Sequence, residues 1–270
     1  MKIDHKESYK DFGEQFLTDK DISGYWGSIE LLKEIVFPFD LNLIKDKKII
    51  DIGIGSGRIS NNLLKFNPSK LLAVEPSEAI NIAKENIKSD KVEYLNVKGQ
   101  DINFKDEFDY AFALCVLHHI PEYEDVLKKI EKSLKPNGKF VAWVYSKEGM
   151  ELYIFMLKCL RRITSRMPDF ILRIFSQFLA ILTYPYGFLC NFFPLPLKKY
   201  FVTMFNKFSF KHKYYVIFDQ FNPSFYKYFS KIELTDALEK VGFTVESLVN
   251  TVGHQYTVIC SKKLTTIKKV

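Results

Sequence analysis

Lys48-Ile-Ile-Asp51-Ile-Gly53-Ile-Gly55-Ser-Gly57-Arg58 opens with a short apolar run, breaks into alternating glycines and ends where a helical pattern begins. An apolar run of this length with β-branched residues predicts a buried strand, and the glycines predict a tight turn into the helix Arg58–Phe66. Working outward, Leu71–Glu75 reads as a second strand, and Pro76-Ser77-Glu78 opens a helix with Ser77 as its cap. Val92–Val97 and Phe108–Cys115 predict strands three and four. Tyr123–Leu134 predicts a helix stopped by Pro136-Asn137-Gly138, and Lys139–Tyr145 a fifth strand. Alternating apolar strands and amphipathic helices predict a parallel sheet covered on both faces. Before this core, Ser28–Val36 has helical spacing and ends at Pro38. After it, Ser230–Val241 predicts a helix, and Thr244–Val252 and Gln255–Cys260 two strands turning at Gly253. The expected fold class is therefore α/β, without internal repeats.

Composition narrows the alternatives. With 47% hydrophobic and 26% charged residues, 12 Gly and 10 Pro among 270 positions, the chain is neither disordered nor collagen-like. Its four cysteines, Cys115, Cys159, Cys190 and Cys260, are scattered and form no C-x-x-C pair, which excludes a disulfide scaffold and a zinc ribbon. No metal site is expected. The start MKIDHKESYKDFGEQF has no apolar core of a secretory signal, so the expected compartment is the cytoplasm. The net charge of +7 is spread along the chain, and no nucleic-acid partner is expected from it.

The glycine loop has two common uses. The dinucleotide fingerprint G-x-G-x-x-G sets a pyrophosphate on the helix N-terminus. Here the spacing is G-x-G-x-G, and Arg58 stands where the third fingerprint glycine would be. Asp51 closes the strand two positions earlier, which suits an amine-bearing ligand better than a pyrophosphate. Glu75, ending strand two, is placed to accept both hydroxyls of a ribose. Asp101, past strand three, could take an adenine amine. A ligand with an amino-acid end, a ribose and an adenine but no phosphate is S-adenosylmethionine. Each residue also has an ordinary explanation (a tight turn, a strand end, a loop acid), and the cofactor reading rests on all three converging at one crevice.

Lys48–Ser60, Val74-Glu75-Pro76-Ser77, Gly99-Gln-Asp101 and Phe108–Val144 together resemble a class I S-adenosylmethionine-dependent methyltransferase. Val116-Leu-His-His119-Ile-Pro followed by Leu134-Lys-Pro-Asn-Gly-Lys-Phe is similar to the bacterial group that methylates small molecules. The resemblance covers roughly residues 45–146 and 231–260. It implies a Rossmann-like, seven-stranded sheet with an antiparallel last strand, and an aromatic-rich helical insertion between strand five and the last helix. It implies S-adenosylmethionine as cofactor and S-adenosylhomocysteine as product, held by Asp51, Gly53, Gly55, Gly57, Glu75, Pro76, Asp101, Ile102 and the backbone at Leu114. The segments that follow are an N-terminal helical cap (1–46), the cofactor-binding core (47–146), a helical insertion (147–230), the sheet's completion (231–263) and a basic tail (264–270).

Methyl transfer from a sulfonium is an in-line displacement, so positioning the acceptor and removing its proton are the enzyme's tasks. His118 and His119 follow strand four, near where the methyl should lie, and suit proton transfer; either could instead cap its loop. Asp219, in a segment similar to one lying over the acceptor site in related enzymes, is a second candidate. Tyr25, Trp26, Tyr145 and Lys147 are candidate acceptor-wall residues. Phe12-Gly-Glu-Gln-Phe16 resembles an N-terminal element that folds over the site. Oxygen is the favoured acceptor atom because a nearby histidine would be useful there; nitrogen or carbon of a sugar, quinone or natural-product intermediate are alternatives. A non-catalytic cofactor-binding module, an NAD-dependent oxidoreductase and an RNA methyltransferase are the rival classes.

The insertion stands apart. Fifteen of the 25 phenylalanines lie between residues 150 and 230, and Ile174–Leu197 carries no charge. That length could span a bilayer. However, Pro185, Gly187, Pro194 and Pro196 are expected to interrupt any single helix, and a crossing would separate the two parts of the sheet. Two readings follow: a helical lid packed on the core, or an amphipathic surface flanked by Arg161, Arg162, Arg166, Arg173, Lys198 and Lys199 that touches a membrane or admits a lipid-like acceptor. Monomer and homodimer are both compatible with the sequence.

Overall fold

The structure is a computed structural model and describes residues 8–164 and 167–263. In chain order its elements are α1 (Ser8–Thr18), α2 (Ile29–Val36), β1 (Lys48–Ile52), α3 (Arg58–Leu63), β2 (Lys70–Val74), α4 (Ala79–Asn86), β3 (Val92–Leu95), β4 (Phe108–Leu114), α5 (Tyr123–Ser133) and β5 (Leu134–Tyr145). They continue with α6 (Glu151–Thr164), α7 (Asp169–Phe192), α8 (Lys198–Thr203), α9 (Phe210–Phe221), α10 (Lys231–Lys240), β6 (Phe243–Val249) and β7 (Gln255–Lys262). The expected basic tail, 264–270, and Arg166 lie outside the described residues.

The seven strands run in the order β3-β2-β1-β4-β5-β7-β6. The first five are parallel, and β7 is antiparallel to both β5 and β6. Chain order reverses between β1 and β4, so a crevice opens at the carboxyl ends of those strands. Two apolar layers sandwich the sheet. One is built on Ile49, Phe112, Val141 and α2; the other on Ile50, Ala111, Phe140 and the α5 and α10 faces. Ser28 caps α2 by accepting from the Leu31 amide, and Ser230 caps α10 by accepting from Glu233. The expected cap Ser77 lies one residue before the N-cap position of α4, Glu78, and its hydroxyl accepts from the Ala79 amide at 3.3 Å.

Two expectations fail locally. The helix α5 ends at Ser133, within a residue of its expected end, but β5 already starts at Leu134 and runs through Pro136-Asn137-Gly138, ahead of the expected Lys139, with an irregularity where it pairs β4. In the insertion, Pro185 and Gly187 do not interrupt α7, which runs 24 residues through both. Pro185 has no N–H to donate to the carbonyl of Ile181, a residue on the exposed face of the helix. No helix among the described residues is long and apolar enough to cross a membrane.

Candidate active site

The crevice deepens into a cavity of about 380 Å³. Its floor is the glycine loop. Gly53 has φ +74°, and a Cβ there would stand 2.3 Å from Val116 Cγ2, so no other residue fits. Gly55, also at positive φ, lies directly under the Phe16 ring of α1. Glu75 comes off β2 beside this loop. Its Oε2 accepts from the Gly55 amide at 2.9 Å, and its Oε1 accepts from the Ser77 amide and hydroxyl at 3.1 and 2.6 Å. Burial pushes its carboxyl up, while those donors pull it back. A carboxylate has about four acceptor directions, so these three bonds leave room for a ligand hydroxyl.

Gly53, Gly55, Glu75, Pro76 and Leu114 line the cavity, as expected of a cofactor cradle. Four expected contacts are placed elsewhere. Asp51 is buried beneath the loop, where its Oδ2 accepts from Ser60 at 2.6 Å, and burial pushes its carboxyl up to about 7. It anchors the first turn of α3 and does not line the cavity. Gly57 begins α3 facing Ala83 and Ile87 of α4. The wall past β3 is made by Lys98, Gly99 and Gln100; Asp101 is exposed one position further, and Ile102 is buried in the core behind. The strand pattern locates such turns, but it does not settle which short side chain points inward.

Arg58 is the residue that sequence reasoning passed over, noting only the glycine it displaces. It lines the cavity, its guanidinium stacks 4.1 Å over the Trp26 ring and it donates to the Trp26 carbonyl at 3.1 Å. Burial pushes its pKa down, and among the described residues no carboxylate lies within ion-pair distance. The other unanticipated residue is Cys115, in the left-handed region at φ +65° where β4 ends. That conformation costs of order 1–3 kcal/mol and turns the next peptides into the cavity. Burial lifts its thiol to about 11, so it stays protonated.

The opposite wall gathers the acceptor-side candidates. His118 and His119 sit in one turn after β4, both buried, and both line the cavity with Trp26, Tyr145 and Asp219. His119 Nδ1 lies 3.2 Å from the Phe225 carbonyl. A carbonyl can only accept, so Nδ1 carries the proton and Nε2 is the acceptor. Burial holds His119 down to about 4 and His118 well below its ordinary value, so both rings are neutral. The His118 ring packs 4.0 Å from that of Tyr145, and its Nδ1 has no partner among the described residues. Asp219, on α9, accepts from Gln15 Nε2 of α1, and burial pushes its carboxyl up to about 7. Next to it, Gln220 donates to the Tyr145 hydroxyl at 3.0 Å and accepts from Tyr153 at 3.1 Å. Tyr25 and Lys147 are not part of the wall: Tyr25 bonds Glu34 outside it, and Lys147 is exposed beyond β5.

The lid is assembled from chain ends far apart in sequence. Phe12 and Phe16 of α1 line the cavity, and Phe12 stacks on His119 at 4.5 Å. Gly13 lets α1 press on Ser77, where a Cβ would come within 2.7 Å of the serine Cβ. Asp11 accepts from the Ser224 amide at 2.7 Å, while the Lys227 amide donates to the His118 carbonyl at 2.8 Å. The N-terminal element thus folds over the site, and residues 219–229 close its other side.

Residues 50–142 match the model of a methyltransferase domain. Over 113 residues the chain is 32% identical to the tRNA U34 carboxymethyltransferase of Nautilia profundicola, covering 40% of this chain and 37% of that protein. It is 32% identical over 126 residues to a sterol 4-C-methyltransferase of Caenorhabditis elegans, covering 42% and 37%. It is 30% identical over 105 residues to a ubiquinone biosynthesis O-methyltransferase of Bradyrhizobium diazoefficiens, covering 37% and 41%. The chain therefore spans about two fifths of the length of these curated relatives. Among solved structures, a chain of the complex between the Haloferax volcanii Trm112 methyltransferase activator and a methyltransferase superposes with TM-score 0.60 at 13% identity, covering 94% of this chain and 99% of that one. An S-adenosylmethionine-dependent methyltransferase from Mesorhizobium loti gives 0.54 at 13% identity, covering 89% and 98%.

Proposed function

We propose that this chain, whose residues 50–142 match a methyltransferase domain model, moves a methyl group from S-adenosylmethionine to a small-molecule or lipid-like biosynthetic acceptor, at oxygen. The observation that carries this reading is one cavity with two chemically distinct ends. The glycine loop, Glu75 and Arg58 form one; Tyr145, His118, His119 and Asp219 form the other.

The residues present fit the donor. Glu75 has room to accept from a ribose hydroxyl, the backbone of Gly53, Gly55 and Leu114 would hold the amino-acid end, and Pro76, Gly99 and Gln100 would flank the base. Arg58, a buried cation lacking a carboxylate, is matched by the donor's own carboxylate. The donor supplies an electrophilic methyl on a sulfonium.

The chain's contribution is positioning and proton removal. At neutral pH a base near 7 is half ionised and well matched, whereas a base near 4 is weak. Asp219 therefore takes the acceptor's hydroxyl proton, and His119 Nε2 accepts a hydrogen bond that orients the acceptor. The lid residues Phe12, Phe16 and Tyr228 exclude water from the reacting pair.

The test is transfer of a labelled methyl group from S-adenosylmethionine to three fractions of a bacterial extract: organic-soluble, polar small-molecule and RNA. Label in either small-molecule fraction, lost in Asp219→Asn, supports the proposal. Label confined to RNA would overturn it, as would donor binding without transfer to any fraction, which a non-catalytic module predicts.

A further inference from the structure

The helix α7 is amphipathic the wrong way round for a protein in water. Its inner face, packed on α9, is made largely of small residues: Ser176, Ala180, Gly187 and Cys190 are buried. Its outer face carries Phe170, Ile174, Phe178, Ile181, Phe188 and Phe192, spaced along the helix and each more than half exposed. The helix extends roughly 36 Å at 1.5 Å per residue. The neighbouring α6, which also packs on α9, shows the same inversion, with Leu152, Phe155, Met156 and Ile163 exposed. Such a surface exceeds the scattered apolar residues of an ordinary monomer and marks a place where something else covers it.

Charge identifies the cover. Between residues 152 and 218 the sequence has ten Lys or Arg and a single acid, Asp169, so this segment is +9 while the rest of the chain is −2. Several of these cations are already engaged: Arg173 pairs with Asp169, and Lys207 with Glu30 and Glu34. Lys158, Arg162, Lys198 and Lys199, which flank the stripe, have no ion pair among the described residues. A second copy would bring the same positive segment against itself across a two-fold interface. An RNA would need cations along the face, yet Ile174–Leu197 has none.

We propose that α6 and α7 dock on an anionic lipid bilayer, their exposed apolar stripes sunk at the headgroup level and the flanking cations on lipid phosphates. The helices lie on the membrane and do not cross it, in keeping with their hydropathy. The inner side of α7 reaches the cavity at Thr183, and α8 adds Tyr200 and Phe201 to its wall. One helix thus has the bilayer on one side and the cavity on the other. The docking requires neither methyl transfer nor cofactor, so it stands or falls separately from the proposed activity.

The experiment is co-sedimentation of the full chain with vesicles of phosphatidylcholine containing a quarter phosphatidylglycerol, against phosphatidylcholine alone, at low and at physiological salt. Binding should be strong on anionic vesicles, weaker on neutral ones, and reduced by salt. Lys198→Gln and Lys199→Gln should each weaken it about fivefold, at about 1 kcal/mol per cation near the surface. Phe188→Ser combined with Phe192→Ser should abolish it while leaving the thermal transition unshifted or higher, because both side chains face outward. Ile174→Ser with Phe178→Ser repeats the test at the other end of the stripe. The proposal is overturned if the wild-type chain ignores anionic vesicles at low salt, or if both stripe variants still bind. A dimer dissolved by the stripe variants in the absence of lipid would also overturn it, as would loss of vesicle binding to stoichiometric RNA.

Discussion

Replacing Asp219 by Asn separates what this carboxylate does for catalysis from what it costs the fold. The substitution is isosteric, and the amide's carbonyl can still accept from Gln15. Burial lifts the folded-state carboxyl from 3.8 to about 7. The folded chain therefore holds the proton more tightly than the unfolded chain, and stability falls as pH rises from about 4 through 7. Integrated over that window, ionisation of Asp219 costs up to about 4 kcal/mol. An amide, which never ionises, should relieve this cost. The D219N variant should match wild type near pH 4 and exceed it by a few kcal/mol at pH 8 in urea denaturation. The variant should itself keep a smaller fall through the same window, because Asp51 is raised to about 7 as well. The same change should lower methyl transfer by about 10²–10⁴-fold, the range for loss of a general base, and remove the rise in kcat/KM centred near pH 7. Identical stability-against-pH curves for both proteins, together with an unaltered rate profile, would refute the reasoning.

Glu75→Gln places an amide NH2 where the Gly55 or Ser77 donors now point; it should weaken S-adenosylmethionine binding by about 100-fold in calorimetry and cost about 1–2 kcal/mol of stability. Gly53→Ala forces a Cβ to 2.3 Å from Val116 at φ +74°, and should destabilise the chain by more than about 2 kcal/mol in urea titration. His119→Asn offers a donor to the Phe225 carbonyl but lacks the Nε2 acceptor. It should raise the acceptor KM more than it lowers kcat, with donor affinity unchanged in the same calorimetric assay.

The centre of the sheet was legible because β1, β2 and β4 are buried on both faces and so read as short apolar runs, whereas β3 and β6 are only partly buried. The tight turn at Gly253 made the last two strands legible as a pair, while the antiparallel last strand was expected only from the resemblance to methyltransferases. Within the site, Gly53, Gly55, Glu75, Leu114 and Tyr145 at the strand ends line the cavity, while Asp51 on β1 is buried beneath the loop. Residues on short turns were not placed correctly. Gly57 and Asp101 sit beside the cavity-lining Arg58 and Gln100, and Lys147 two positions past Tyr145; which residue of a turn faces inward no periodicity encodes. Arg58 went unread because a buried cation is a tertiary fact, created by Trp26 folding across from the N-terminal segment. Pro185 misled because a proline penalises a helix interior without always breaking it: α7 continues through it, and Ile181, whose carbonyl loses its bond, is an exposed residue.

The most direct test is a crystal structure of the chain grown with S-adenosylhomocysteine. The account predicts the ribose hydroxyls on Glu75, the amino-acid carboxylate facing Arg58, and the sulfur turned toward Asp219 and His119. An empty glycine loop at saturating ligand, or the same loop filled by a nicotinamide dinucleotide in a parallel soak, would contradict it.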